Sequence, residues 1–292
     1  MGADSTIGRA LMVQLEGEGQ PVLGTTRRRD FVGDHLLHVD LATDLLTWVA
    51  PESVGTVWLC AAVTSLAECR AYPDQTHAIN VEGVCRVARR LGEMGAQVVF
   101  LSSSLVFDGG SPSYEPNSPV CPTTTYGRQK VEAERCLADI HPVVVRLTKV
   151  LGPRHPLLMR WRTSLQNGEV IRPYSNRVIS PLPLAWVVRA LTQLAGSPGI
   201  HHLSGDQEIP WSMVGRLLAE RIGADAALVR PCEVGEADTG LEPVGKYSTL
   251  DMSATLKLLD LEPPSVNDLF DNVIGKSILY SESGPERSVG ME

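Results

Sequence analysis

Apolar β-type runs alternate with helix-period stretches along this chain, and that alternation restricts the fold more than any other feature. Pro21–Thr26, Leu36–Leu41, Val54–Ala62, Gln97–Ser103 and Pro142–Leu147 have the composition of strands. Between them lie helix-patterned segments at Ile7–Leu15, Asp74–Leu91 and Tyr126–Ile140; in the second, Val81, Val84, Ala88 and Leu91 share one stripe. Strand and helix in turn predict an α/β fold with a doubly wound parallel sheet, because each helix carries the chain back to start the next parallel strand. Beyond Leu151 the alternation loosens. Ile200–Ser204 reads as a strand, Trp211–Ile222 as a helix, and Ser253–Leu259 as a short helix before Pro263-Pro264. The expected organisation is a sheet domain over 1–150 and a smaller C-terminal substrate lobe over 151–292. Segments near 178–205 and 245–260 return to the sheet, and the polar tail after Lys276 is loose.

The chemistry concentrates at Tyr126-Gly-Arg-Gln-Lys130, about twenty residues behind Ser102-Ser103-Ser104. Residues four apart share a helical face, so an ammonium can sit beside a phenol. An unperturbed phenol titrates near pH ~10, and a neighbouring cation lowers that value, making tyrosine a usable general acid or base. Ser103, at the end of the apolar run Val98–Leu101, could hold a carbonyl oxygen against the phenol. The candidate catalytic set is therefore Ser103, Tyr126 and Lys130. The loop Asp108–Thr125, dense in Gly, Pro, Ser and Asn, lies where a substrate-facing surface is expected.

The amino-terminal end has the form of a phosphate loop. Gly2-Ala-Asp-Ser5-Thr6-Ile7-Gly8 leads into a helix, with Ser5 where a glycine would let backbone approach a pyrophosphate. A Rossmann-like sheet runs its central strand into such a loop, and no strand precedes this one. The first strand is thus expected to be missing, leaving a sheet ordered around a gap; an upstream start accounts for this better than decay of cofactor binding. At the end of the second strand, Gly24-Thr25-Thr26-Arg27-Arg28 offers guanidiniums and no carboxylate. That favours NADP(H) over NAD(H), because Arg forks suit a 2′-phosphate; the competing reading is a solvated Arg turn. Asp40 could accept from an adenine amine, or only cap a turn.

Other classes fit poorly. The net charge of −8 argues against a nucleic-acid footprint. No apolar run approaches the ~20 residues of a membrane span, and no signal peptide is visible. Met1-Gly2 with Thr6 matches an acylation pattern, but these residues serve better as a phosphate loop. Cys60, Cys69, Cys85, Cys121, Cys136 and Cys232 are scattered without a CxxC pair, which reads as reduced thiols of a cytoplasmic protein. The seven histidines show no metal-ligand spacing, so no metal is expected.

With these residues placed, the chain resembles the extended short-chain dehydrogenase/reductases, and within them the dTDP-4-dehydrorhamnose reductases and their sugar-nucleotide relatives. The resemblance runs from Gly2 to about Leu269. Its sharper pieces are Leu59-Cys-Ala-Ala-Val63, Ile79-Asn80-Val81, Ser102 to Gly109, Tyr114-Glu115-Pro116 and Tyr126 to Lys130; Ser180-Pro181, His202 to Gly205 and Tyr247 to Asp251 are weaker. It implies reduction of a nucleotide-activated 4-keto-6-deoxysugar by NADPH, with Lys130 also holding the cofactor. It further implies that Ala61 and Ala62 pass close to the cofactor and that Asn80 supports the active-site backbone. Thr64, Ser65, Ser104, Tyr114 and Arg146 would line the substrate side; the C-terminal lobe has few basic residues, so Arg154, Arg160, Arg162, Arg172 and Arg177 are where the nucleotide diphosphate is expected. A homodimer is compatible with the resemblance. Bland roles stay open: local hydrogen bonding for Asn80, loop packing for Tyr114, an acid partner for Arg146. The family's dehydratases carry an Asp-Glu pair where this chain has Ser104-Leu105, which cannot do that work. An NAD-dependent epimerase and a non-catalytic regulatory or nucleotide-binding homologue remain as alternatives.

Overall fold

The computed structural model describes residues 1–43, 48–235, 242, 245–266 and 269. The tail after Lys276, expected to be loose, lies outside the described residues. In chain order the elements begin α1 (Thr6–Gly17), β1 (Gly24–Thr26), β2 (Leu36–His38), β3 (Thr56–Leu59), α2 (Leu66–Ala71), α3 (Pro73–His77) and α4 (Val84–Glu93). They continue β4 (Gln97–Ser103), α5 (Thr125–Leu137), β5 (Val143–Leu147), β6 (Lys149–Leu151), α6 (Pro156–Gln166), β7 (Val178–Ile179) and β8 (Pro181–Pro183). The last are α7 (Leu184–Leu194), β9 (Gly199–Leu203), β10 (Ile209–Pro210), α8 (Trp211–Ile222) and α9 (Ser253–Leu256).

The architecture is α/β and Rossmann-like. β3, β4, β5 and β9 pair in that order, all parallel. β4 and β5 are almost wholly buried because helices cover both faces, which is why their sequences are continuous apolar runs rather than alternating ones. On one face α4 and α5 enclose Val57, Leu59, Val98, Phe100 and Val144. On the other, α1 and α7 enclose Val99, Leu101, Val143 and Val145. A separate core joins α6 and α8 around Leu158, Trp161, Leu165, Val214 and Leu218. The register sets Ser103 opposite Leu147, and Leu147 opposite Leu203, so the serine-tipped strand ends on the carboxyl edge of the sheet.

β1 pairs only with β2, as a separate parallel ladder. Between β1 and β3 the sheet is open, and among the described residues Met1–Ala3 bridges the opening at its carboxyl end. The Met1 amino group donates to the Trp58 carbonyl (2.9 Å), Cys60 N–H to Met1 O (3.1 Å), and Ala3 N–H to Thr25 O (2.8 Å). Below that bridge lies a cavity of about 700 Å³ lined by Leu11, Leu15, Val22, Val57, Trp58 and Leu91 among others. The gap expected from the sequence is present.

The stretch read as one helix over Asp74–Leu91 is helical but not uniform. A wide π-type turn, Ala78–Gly83, separates α3 from α4. Such turns add a residue to the helix and cluster at functional sites; here the turn carries Asn80. Gly83 is required where the helix crosses the end of the β2 segment, because a Cβ there would lie 2.2 Å from the Leu41 carbonyl oxygen.

Candidate active site

Helix α5 begins with Thr124, whose side chain accepts from Gly127 N–H (3.0 Å) and is wholly buried. This cap sets the first turn directly on the loop that follows β4. A Cβ at Gly127 would lie 2.1 Å from the Leu105 carbonyl oxygen, so only glycine permits that approach. Ser103 Oγ in turn accepts from Leu105 N–H (3.2 Å). The same close packing therefore places the first turn of α5 against the Ser103–Leu105 turn.

One helical turn later, the Lys130 ammonium donates to the Leu101 carbonyl of β4 (2.8 Å). It lies 4.6 Å from the Phe100 ring centroid and 5.6 Å from that of Tyr126. Tyr126 and Lys130 thus share one buried face of α5, aimed at the end of β4. Burial pushes the Lys130 ammonium down to about 8, opposed by the nearby Glu134 carboxylate. The Tyr126 phenol moves the other way from expectation. Burial raises its pKa, with a smaller push from Cys69, so in the unliganded protein desolvation outweighs the cation and the phenol stays protonated.

The lysine–tyrosine face is held from behind by a satisfied polar network. Asn80 is fully buried: its Oδ1 accepts from Val63 N–H (2.8 Å), while Nδ2 donates to Val63 O (2.9 Å) and Gln129 Oε1 (2.8 Å). Gln129 donates onward to Thr76 Oγ1 (2.9 Å) and Pro73 O (3.2 Å). Asn80 therefore clamps the backbone after β3 to α5 rather than reaching into a pocket. Gln129 is the partner that sequence reasoning missed, although it sits inside the Tyr126–Lys130 motif.

Several residues expected on the substrate side have other work. Arg146 is committed to a bidentate pair with Glu134 (Nε–Oε1 3.0 Å, Nη2–Oε2 2.7 Å) and donates to Pro116 O (3.1 Å). Both side chains are buried, and Ser102 donates to the same carboxylate. Arg146 also lies over the Phe107 ring and beside His202, whose pKa burial lowers to about 4. This is the acid partnership left open above, and it removes Arg146 from the cleft. Tyr114 stacks on Phe107 (centroids 4.3 Å apart) and donates to Asp108, a bond that raises its own pKa. Ser65 caps α2 through Glu68 N–H, while Thr64 is exposed beside it. Ser104 is half-buried in the turn after Ser103.

The nucleotide end forms a cavity of about 320 Å³. It is lined by Gly2, Ser5, Thr26, Arg27, Arg28, Asp40, Ala61, Ala62, Val63 and Thr64 together with Asp4, so these separated cofactor candidates share one space, whereas Thr6, Ile7, Gly8, Asn80 and Lys130 do not line it. Gly2 has φ +76°, and a Cβ there would lie 2.7 Å from Ala61 N; the loop and the end of β3 are in backbone contact. Gly8 is as restricted, since its Cβ would lie 2.2 Å from Gly2 O. Thr6 and Ile7 open α1, and Ser5 caps it by accepting from Gly8 N–H (3.0 Å). Asp4 was not anticipated. Its carboxylate accepts from Thr26 Oγ1 (2.9 Å) and pairs with Arg28 (3.6 Å), tying the loop to β1. Asp40 accepts from Ala42 N–H (3.0 Å), the turn role, while its side of the turn lines the cavity.

Arg154, Arg160, Arg162, Arg172 and Arg177 lie in and around α6 and the segment after it, none in an ion pair among the described residues. One expectation is corrected outright: Cys85 of α4 and Cys136 of α5 form a disulfide (Cα–Cα 6.3 Å) rather than standing as reduced thiols. Their sequence separation of 51 hid a contact that two packed helices create. Cys60, Cys69, Cys121 and Cys232 are free. Among the described residues no helix is long and apolar enough to cross a membrane, and no group of three or more His, Cys, Asp or Glu is arranged to hold a metal.

Comparison with known proteins agrees with the fold. The RmlD substrate binding domain family matches residues 1–277. A dTDP-4-dehydrorhamnose reductase of Streptomyces griseus is 30% identical over 275 residues, covering 90% of this chain and 87% of the relative. The probable low-salt glycan biosynthesis reductase Agl14 of Haloferax volcanii is 26% identical over 283 residues, covering 91% and 93%. Among solved structures, the dTDP-4-dehydrorhamnose reductase from Bacillus anthracis in complex with NADP shares the fold, with a TM-score of 0.77 at 19% identity over 93% of this chain and 95% of that one.

Proposed function

We propose, from the premise that this chain belongs to the RmlD substrate binding domain family, that it is an NADP-dependent reductase of a nucleotide-activated 4-keto-6-deoxysugar. The observation that carries the reading is the buried pairing of Tyr126 and Lys130 on the face of α5 that packs on the end of β4. Bound NADPH would supply hydride to the sugar C4. The protein's own part is the proton. A phenol kept protonated by burial is set up as an acid, and it would protonate the developing C4 oxygen. The tyrosinate left behind would be stabilised by the adjacent Lys130 ammonium, which at about 8 can itself release a proton near neutrality. Ser103 would orient the carbonyl through a hydroxyl whose lone pair is engaged by Leu105 N–H, leaving its proton to donate. Within this reading Lys130 also contacts the nicotinamide ribose, and Ala61 and Ala62 leave room for the ring because any larger side chain would enter the cavity.

Gly2, Ser5, Thr6, Ile7 and Gly8 would hold the pyrophosphate at the start of α1, where free helical N–H groups favour an anion. NADP(H) rather than NAD(H) follows from Arg27 and Arg28 at the cavity rim. The arginines around α6 would take the nucleotide diphosphate of the substrate. One observation favours a second reading, a nucleotide-binding homologue without turnover: Asp4 puts a carboxylate into the phosphate loop.

A single assay separates the two. NADPH absorbance is followed with dTDP-4-keto-6-deoxyhexoses for the wild type and Tyr126→Phe. The expected result is oxidation by the wild type and a loss of two or more orders of magnitude in the variant, on the order of the 10²–10⁴ of a positioned acid. A wild type that binds NADPH but oxidises none with any keto-sugar gives the place to the second reading.

A further inference from the structure

Ala61, Ala62, Val63 and Thr64 form one wall of the nucleotide cavity, between β3, which ends at Leu59, and α2, which begins at Leu66. The wall belongs to no strand or helix, so it is positioned by whatever partners its backbone groups find. At Val63 a single side chain supplies both. Asn80 Oδ1 accepts from Val63 N–H (2.8 Å), and Asn80 Nδ2 donates to Val63 O (2.9 Å), which also receives the Cys69 thiol (3.4 Å). Asn80 thus takes the place of a neighbouring strand. The wall has little room to move toward the phosphate loop, because a Cβ on Gly2 would lie 2.7 Å from Ala61 N.

Asn80 sits in the wide turn Ala78–Gly83, whose Ile79 lines the same cavity. A turn of that kind leaves the α-helical path, so Asn80 needs a fixed reference outside its own helix. Gln129 of α5 supplies it. Its Oε1 accepts from Asn80 Nδ2 (2.8 Å), while its Nε2 donates to Thr76 Oγ1 (2.9 Å) and Pro73 O (3.2 Å). Each amide has one workable orientation. Turning Asn80 over would set its nitrogen against Val63 N–H, and turning Gln129 over would set its oxygen against Pro73 O. Asn80 is 0% exposed and Gln129 4%, so water does not stand in for either bond. Gln129 directly precedes Lys130, on a helix already fixed by the Thr124 cap and the Gly127 approach to Leu105. One hydrogen bond, Asn80 to Gln129, therefore refers the cavity wall to the helix that carries Tyr126 and Lys130.

We infer that Gln129 is a positioning residue: acting through Asn80, it sets the Ala61–Thr64 wall relative to the Tyr126–Lys130 face of α5 and so couples cofactor binding to the catalytic helix. This coupling rests on the reading of the cavity as an NADPH site. Gln129 itself touches no ligand. Its role there is separable from a contribution to stability, because its bonds point two ways. Oε1 serves Asn80 and the wall, whereas Nε2 serves Pro73 and Thr76 of α3, neither of which lines the cavity.

The test compares Gln129→Met with Thr76→Val in the full-length protein. Gln129→Met keeps the length of the side chain and removes all its bonds; Thr76→Val removes one bond to Nε2 and leaves the bond to Asn80. Both are expected to lower the melting temperature. In Gln129→Met alone, hydrogen exchange at the Val63 amide speeds up roughly tenfold. The NADPH dissociation constant, read by fluorescence titration, rises roughly five- to tenfold, as for the loss of one net hydrogen bond. In Thr76→Val both quantities stay within about twofold of the wild type. In an Asn80→Ala background Gln129→Met has no further effect on NADPH, because the path runs through Asn80. A Gln129→Met protein that melts earlier but keeps wild-type Val63 exchange and NADPH affinity has lost only stability; that result overturns the inference and leaves the NADPH reading intact. A wild type that binds no NADPH removes that reading and the coupling with it.

Discussion

The two ends of the active cleft are built to different standards. At the catalytic end a paired polar network backs the α5 face: Asn80 donates to Gln129, Arg146 and Glu134 form a bidentate pair, and Lys130 donates to Leu101. At the nucleotide end β1 is separated from β3 by an open cavity, and three residues, Met1–Ala3, carry the backbone contacts across it. Tyr126 and Lys130 can then be held to fixed positions because the network behind them has one arrangement. The phosphate loop depends on a few hydrogen bonds and one solvent-exposed ion pair. Disturbing the first end is expected to cost global stability, and disturbing the second mainly affinity.

The largest effect is expected at Arg146. Replacement by alanine leaves the Glu134 carboxylate buried without its cation, holding only the bond from the Ser102 hydroxyl, and leaves the Pro116 carbonyl without its donor. Breaking such a pair from one side typically costs about 3–5 kcal/mol. Urea unfolding of Arg146→Ala should show a loss of that order, whereas Arg28→Ala, which removes a pair at 60% and 26% exposure, should change stability by less than about 0.5 kcal/mol. Equal losses at the two sites would abolish the contrast between the two ends.

Lys130 gives an intermediate effect with a sign of its own. In the unfolded chain the ammonium keeps its proton up to about 10.5, whereas burial lets the folded protein release it near 8. Across that window the unfolded state binds more protons, so wild-type stability rises with pH. Lys130→Met should remove this slope and be more stable than the wild type below pH 8, by about 1–3 kcal/mol after allowing for the lost bond to Leu101 O. It should also lose turnover. Melting curves taken from pH 7 to 10.5 test the point, and a wild type whose stability falls with pH in that range contradicts it.

What the sequence disclosed follows the same division. The continuous apolar runs of β4 and β5 and the four-residue spacing of Tyr126 and Lys130 are local signals, and both were readable without the structure. Ser103 was readable because it ends a strand. Arg146 was misplaced because its partner, Glu134, is on α5 and its other acceptor, Pro116, is in a loop; neither proximity has a sequence period. Cys85 and Cys136 escaped for the same reason, being set side by side by the packing of α4 on α5. The requirement for glycine at 127 has no sequence signal, because it comes from the Leu105 carbonyl standing where a Cβ would be. The phenol's titration was misjudged because spacing reveals a neighbouring charge but not the depth of burial, and here burial dominates.

The smallest effect, and the one that probes the nucleotide end most directly, is expected at Asp4. This residue sits in the loop that would face a pyrophosphate, lines the same cavity as Arg27 and Arg28, and pairs with Arg28. Its charge therefore acts twice against a phosphorylated cofactor, by direct repulsion and by partly neutralising a guanidinium that would otherwise be free for a 2′-phosphate. Asp4→Asn keeps an oxygen to accept from Thr26 Oγ1, so the loop stays tied to β1 while the charge disappears. At a partly solvated site one such charge is worth little: the NADPH dissociation constant should fall by roughly two- to fivefold at low salt. The NADH constant should fall less, because the extra phosphate is absent. The gain should shrink toward physiological ionic strength as screening sets in over ~8 Å. Fluorescence titration of both cofactors at two salt concentrations measures all three. An Asp4→Asn protein that binds NADH and NADPH with equal improvement would show that Arg28 does not read the 2′-phosphate, and would shift that role to Arg27 alone.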